Sequence, residues 1–72
     1  MITNKNHKFD VRFDNDTMSD RKGFKSSYEY CYDYIAMYNG TNESYFEDYK
    51  GGTVSIIDID ADESIVYSEE IK

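Results

Sequence analysis

The chain has no proline, no tryptophan, one cysteine and one histidine in 72 residues. With tryptophan missing, the volume of a hydrophobic core must come from tyrosine, phenylalanine, isoleucine and valine, and eight tyrosines and four phenylalanines are there to supply it. Tyrosine is an amphipathic filler: its ring is readily buried while its hydroxyl needs water or a partner. A lone Cys31 excludes an internal disulfide. Small secreted domains usually depend on several, so a reducing compartment, the cytoplasm, is expected. No stretch reaches the roughly 18 consecutive apolar residues of a membrane-spanning helix, and Met1 to Lys8 lacks the apolar run of a signal peptide.

Positive charge is scarce after residue 25. Residues 1–25 carry six Lys/Arg against four Asp, a net of +2, whereas residues 26–72 carry two Lys against eleven Asp/Glu, a net of −9. A field of that sign repels nucleic acid and anionic membrane and attracts basic surfaces. The expected partner is therefore a protein with a basic surface, with no direct nucleic-acid or membrane contact. At this length there is room for one domain, which buries only about 60% of the surface its unfolded chain exposes.

Residues 1–7 are polar and without periodicity, and are expected to form a mobile lead to a single domain over 8–72. Lys8 to Asp14 alternates, with Phe9, Val11 and Phe13 on one face and Asp10, Arg12 and Asp14 on the other, the pattern of a half-buried strand. Asn15, Asp16 and Thr17 are turn formers, after which Arg21 to Lys25 either returns as a short strand or remains a loop. Ser26 followed by Glu29 has the spacing of a capping box and predicts a helix start, and Asn39-Gly40 predicts its end. Between them Tyr28, Cys31, Tyr32, Ile35 and Tyr38 share one side, and Tyr30, Tyr34 and Met37 form a second stripe. The second stripe is either covered within the molecule or is a surface for a second subunit or a partner. Thr41 or Asn42 predicts the cap of a short helix with Tyr45, Phe46 and Tyr49, ended by Gly51-Gly52.

Thr53 to Asp60 is rich in β-branched residues, with Val54, Ile56, Ile57 and Ile59 apolar on both faces, as in an inner strand. A turn over Asp60 to Glu63 leads into Ser64 to Ile71, with Ile65, Tyr67 and Ile71 placed on one face. The predicted fold is α+β: an antiparallel sheet of three or four strands, with a main helix and a short helix on one face. Its expected core is Phe9, Val11, Phe13, Tyr28, Cys31, Ile35, Tyr38, Phe46, Val54, Ile56, Ile57, Ile65 and Tyr67.

The sharpest chemical pattern runs from Asp58 to Glu69. Asp58, Asp60 and Asp62 take positions one, three and five of a twelve-residue calcium-binding EF-hand loop and Glu69 takes position twelve, which gives a calcium-responsive domain as one alternative, but Glu63 stands where the loop needs glycine and the flanks read as strands. A solvated acidic turn is the competing reading. His7 and Cys31 are too few for a thiolate and imidazole zinc site, and Cys31, on the core face as an inert thiol, finds its only candidate histidine, His7, in the expected mobile lead. Gly51-Gly52 lacks the spacing of a phosphate-binding loop and precedes a strand. No cofactor motif is present, and no enzymatic activity is expected. The sequons Asn39-Gly40-Thr41 and Asn42-Glu43-Ser44 read as helix punctuation. What remains is surface: the acidic hairpin with Asp58, Asp60, Asp62 and Glu63, which can present spaced charges to a basic groove, and the stripe of Tyr30, Tyr34 and Met37, which suits a partner or a homodimer. Charge that only keeps a small domain soluble is the plainer account of the first.

The stretch from Tyr38 to Ile56, with Asn39-Gly40-Thr41-Asn42-Glu43-Ser44-Tyr45-Phe46 and Asp48-Tyr49-Lys50-Gly51-Gly52-Thr53-Val54, resembles small uncharacterised proteins carried by phages and conjugative elements of Gram-positive bacteria. Short, acidic, tyrosine-rich proteins of such elements are similar in composition to anti-CRISPR and other anti-defence inhibitors, some of which imitate DNA. The resemblance implies an accessory protein of a mobile element that blocks a basic, nucleic-acid-binding surface, and it assigns no residue a role.

Overall fold

The computed structural model describes residues 6–72, so residues 1–5 of the expected lead lie outside the described residues. The elements run β1 (Phe9–Asp14), β2 (Ser19–Arg21), α1 (Tyr28–Tyr38), α2 (Tyr45–Asp48), β3 (Thr53–Asp58), a 3-10 turn (Ile59–Ala61) and β4 (Ser64–Glu70). The four strands form one antiparallel sheet in the order β2-β1-β3-β4. The α+β architecture read from the sequence is the one observed, with β3 as an inner strand.

Strand alternation sets the core. Phe9, Val11 and Phe13 of β1 pair with Asp58, Ile56 and Val54 of β3, so these side chains share a face. On that face Cys31 and Ile35 from α1, Phe46 from α2, and Tyr49 close a buried cluster. Phe13 lies at its centre, 4.9 Å from the Phe46 ring in an edge-on contact and 5.5 and 5.9 Å from Tyr45 and Tyr49.

Several local expectations shift, each for a physical reason. The N-cap of α1 is Ser27, whose hydroxyl accepts from the Tyr30 amide, and not Ser26. Ser26 is held extended by two backbone hydrogen bonds to Phe9, and with Ser27 as cap Glu29 no longer stands at the capping-box position. The return strand is Ser19–Arg21, beginning two residues before the Arg21 to Lys25 segment, whose remainder, Lys22 to Lys25, is the loop of the two alternatives. Ser44, not Thr41 or Asn42, precedes α2. Ile65 is 53% exposed and does not join the core. A bulge causes this: β4 pairs Ile65 with Ile57 but Tyr67 with Ile56, so Val66 is the extra residue and Ile65 and Tyr67 fall on opposite faces. Tyr28, Tyr38 and Tyr67 are only partly buried against the cluster, while Tyr49 and Ile71 are buried in it. Ile71 is drawn in because Gly51 and Gly52 continue the ladder, exchanging two 2.9 Å bonds with its backbone.

The Tyr38 to Ile56 stretch acquires structural reasons here. Asn39 donates to Glu69 and to the Glu70 carbonyl and accepts from the Lys72 amide, which ties the end of α1 to the end of β4. Gly40 and Gly51 take left-handed conformations, at φ 99° and 89°. At Gly52 a Cβ would run into the Asp14 carbonyl oxygen.

Candidate functional site

The acidic hairpin is largely engaged within the chain. Asp58 caps the 3-10 turn by accepting from the Asp60 amide at 3.1 Å, and its other oxygen is 2.7 Å from His7 Nδ1. Asp60 accepts from the Lys8 amide at 2.7 Å, and Glu63 accepts from Arg21 at 2.8 Å. His7, placed by sequence in a mobile lead, is therefore tied to the sheet at its Asp58 end. Asp62 is exposed at the turn, where it and Glu63 take successive left-handed conformations (φ 56° and 58°). Glu69 lies toward the opposite end of the hairpin, where it accepts from Asn39 and from the Tyr67 hydroxyl. The bond to Glu69, with burial, holds the Tyr67 phenol above its ordinary range.

Asp58, Asp60, Asp62 and Glu69 are thus not gathered around one point, because strand pairing from Ser64 onward carries Glu69 away. Among the described residues no group of three or more His, Cys, Asp or Glu side chains is arranged to hold a metal ion. Cys31 is fully buried on the core face, where burial first and Asp10 second push its thiol up to about 12. That state is the opposite of an activated nucleophile.

The second stripe of α1 is the more open feature. Tyr30, Asp33, Tyr34, Met37 and Tyr38 line a groove of about 210 Å³ along one flank of the helix. Their positions i, i+3, i+4, i+7 and i+8 form one continuous row, since side chains three and four apart are neighbours on a helix. Tyr34 and Tyr38 pack against the core, and Phe24 meets Tyr30 and Tyr34 edge-on at 5.2 Å. Tyr30 and Met37 remain 51% and 67% exposed. Intramolecular packing therefore covers Tyr34 and leaves the two ends of the stripe open. Asp33 and Tyr38 were missed as members of this row, the first because it is polar and the second because it was assigned to the core face. The helical spacing itself was the signal that finds them.

The groove is acidic at its margins. Asp33 lines it, Glu29 is exposed one turn before, and Glu43 is close enough to help burial raise the Tyr34 phenol. No Lys, Arg or His occurs between residues 26 and 49. Among the described residues no helix is long and apolar enough to cross a membrane. Comparison with protein-family models, with curated protein sequences and with solved structures finds no match to this chain.

Proposed function

We propose that this chain is a non-enzymatic binding protein that docks a basic surface of a partner protein on the acidic, tyrosine-rich flank of α1. The observation that carries the reading is the groove of Tyr30, Asp33, Tyr34, Met37 and Tyr38, apolar along its floor, open at Tyr30 and Met37 and bordered by the carboxylates of Glu29, Asp33 and Glu43, with Lys22 over the Tyr34 ring. Exposed tyrosine and methionine supply contact area, and the surrounding negative charge selects a basic partner and steers its approach. The flank supports this role better than the hairpin, since Asp58, Asp60 and Glu63 already hold partners within the chain. In its fuller form the proposal is an accessory protein of a phage or conjugative element, acting in the host cytoplasm on the nucleic-acid-binding groove of a host protein. The resemblance of residues 38–56 and the net charge of −9 over residues 26–72 support that form.

The test compares capture from nuclease-treated host lysate by the wild type, by Tyr30→Ala and Met37→Lys, and by a hairpin variant with Asn at Asp60 and Asp62. Both groove side chains are exposed, so the variants keep the fold. The proposal requires a basic protein that the wild type retains, that added duplex DNA displaces, and that either groove variant loses. Retention by the groove variants together with loss on the hairpin variant overturns it in favour of charge mimicry by the hairpin. A dimer in sedimentation that Met37→Lys dissociates overturns it in favour of a second copy as the occupant.

A further inference from the structure

Lys22 reaches from the connection between β2 and α1 into a ring of aromatic side chains. Its amide donates to the Val11 carbonyl at 3.0 Å, which fixes where the side chain begins. Its ammonium lies 5.6 Å from the centroid of Tyr34, 5.8 Å from Tyr45 and 5.9 Å from Phe24, and donates to the Ser44 hydroxyl at 2.8 Å. The three rings come from three separate parts of the fold, and each is within the range of about 6 Å over which a cation is attracted to an aromatic face.

Several features set this site apart from ordinary packing. The chain has 15 carboxylates, yet among the described residues Lys22 forms no ion pair. Its charge is met mainly by aromatic faces, which attract a methylated ammonium as they do a free one, although a trimethylated one forgoes the bond to Ser44. Ser44 sits at φ 50° and ψ −131°, a backbone region costly for any residue but glycine, and its hydroxyl there meets the ammonium. The Tyr34 hydroxyl is buried at the same place, and the Ser44 hydroxyl lies against it.

We propose that Phe24, Tyr34 and Tyr45, with the Ser44 hydroxyl, form an aromatic cage for a lysine side chain of a partner protein, methylated or not, and that Lys22 fills the cage in cis until the incoming lysine replaces it. The exchange conserves the contacts with the three rings, since one alkylammonium takes the place of another and Lys22 is released to water; the bond to Ser44 is kept only by a lysine that retains an N–H. A methylated lysine is favoured, because it is less strongly hydrated and gives up less on entering the rings. The cage shares Tyr34 with the groove on α1 but does not depend on the groove being a docking site.

The test uses small probes, so its outcome is separate from that of the partner search. N-acetyl-lysine methylamide, its trimethylated form and the neutral norleucine analogue are titrated into the wild type and Lys22→Ala and followed by NMR. The expected result is saturable shifts in Lys22→Ala confined to Phe24, Tyr34, Ser44 and Tyr45, with affinity about tenfold above the wild type for both cations, a gain of the size of one cation–π contact. The trimethylated probe should bind more tightly than the free amine, and norleucine should leave the spectrum unchanged. Absence of saturable shifts, equal affinity in wild type and variant, or equal binding of norleucine overturns the proposal. Lys22→Met, which keeps the aliphatic stem, supplies the same comparison if the alanine variant does not fold.

Discussion

Asp10 shows how a residue that looks ordinary in sequence becomes a structural centre. Alternation along β1 puts it on the face away from the helices, where a carboxylate would be solvated, yet it is fully buried. One oxygen accepts from the Val11 and Phe24 amides at 2.7 and 2.8 Å, and the other from Gly23 and Arg21 at 3.1 and 3.0 Å. Four donors saturate a carboxylate. The bond to Asp10 is also the first reason that the Arg21 guanidinium is held above its ordinary range, ahead of its contact with Glu63. Asp10→Asn turns an acceptor toward donors as an NH2 group and leaves Arg21 facing a neutral amide, so it should cost about 2–4 kcal/mol. Asp62→Asn, at an exposed turn, should stay within about 0.5 kcal/mol. Urea unfolding of the two variants checks this, and similar midpoints would show that the Asp10 network carries no special share of the stability. At the same scale, Gly52→Ala should destabilise the protein by more than about 1 kcal/mol, read as a fall in melting temperature, because Asp14 offers rigid backbone where the new methyl would lie.

Among the elements, those with a complete local signal were legible and those defined by pairing were not. α1 was bracketed by its serine and Asn39-Gly40, and β3 by its β-branched run between Gly52 and the aspartates, since these signals reside in the residues themselves. The choice between Ser26 and Ser27 depends on Phe9, which is distant in sequence and claims the Ser26 backbone. Ser27→Ala should therefore cost about 1 kcal/mol through the lost cap, whereas Ser26→Ala, which leaves both backbone bonds in place, should change stability by a few tenths. Equal losses in thermal melts would place the cap elsewhere. The bulge at Val66 was invisible for a similar reason: a period-two reading continues through an inserted residue and places both sides of it on one face, so Ile65 was grouped with Tyr67 and Ile71, which do face the core. The same limit applied to the candidate site. The stripe on α1 follows from helical spacing, but its partial cover by Phe24 and the engagement of the hairpin carboxylates by His7, Lys8 and Arg21 arise only from tertiary contacts.

For the molecule as a whole, a tyrosine-rich core in an acidic chain sets the response to alkali. Burial and then Asp10 raise the Cys31 thiol to about 12, and burial and then the bond to Asp20 raise the Tyr49 phenol to about 12. Tyr28 and Tyr34 are raised by burial, and Tyr67 by its bond to Glu69. Unfolded cysteine and tyrosine ionise near 8.5 and 10, so above those values the unfolded chain loses protons that the folded chain retains. The stabilisation from these groups is therefore fully present below about pH 8.5 and is lost as pH climbs toward the folded values. Melting temperature should hold between pH 7 and 8, begin to fall above about 8.5 and fall more steeply above about 10. Added salt should recover only the share due to self-repulsion of a chain that starts at −7. Cys31→Ala removes the earliest of these titrations, so its melting temperature, although lower throughout, should stay level to about pH 9.5 before the tyrosines take effect. Parallel melts of wild type and variant in a reducing buffer decide the matter. Two curves that bend at the same pH would mean that the thiol does not set the first step and that the alkaline limit belongs to the tyrosines alone.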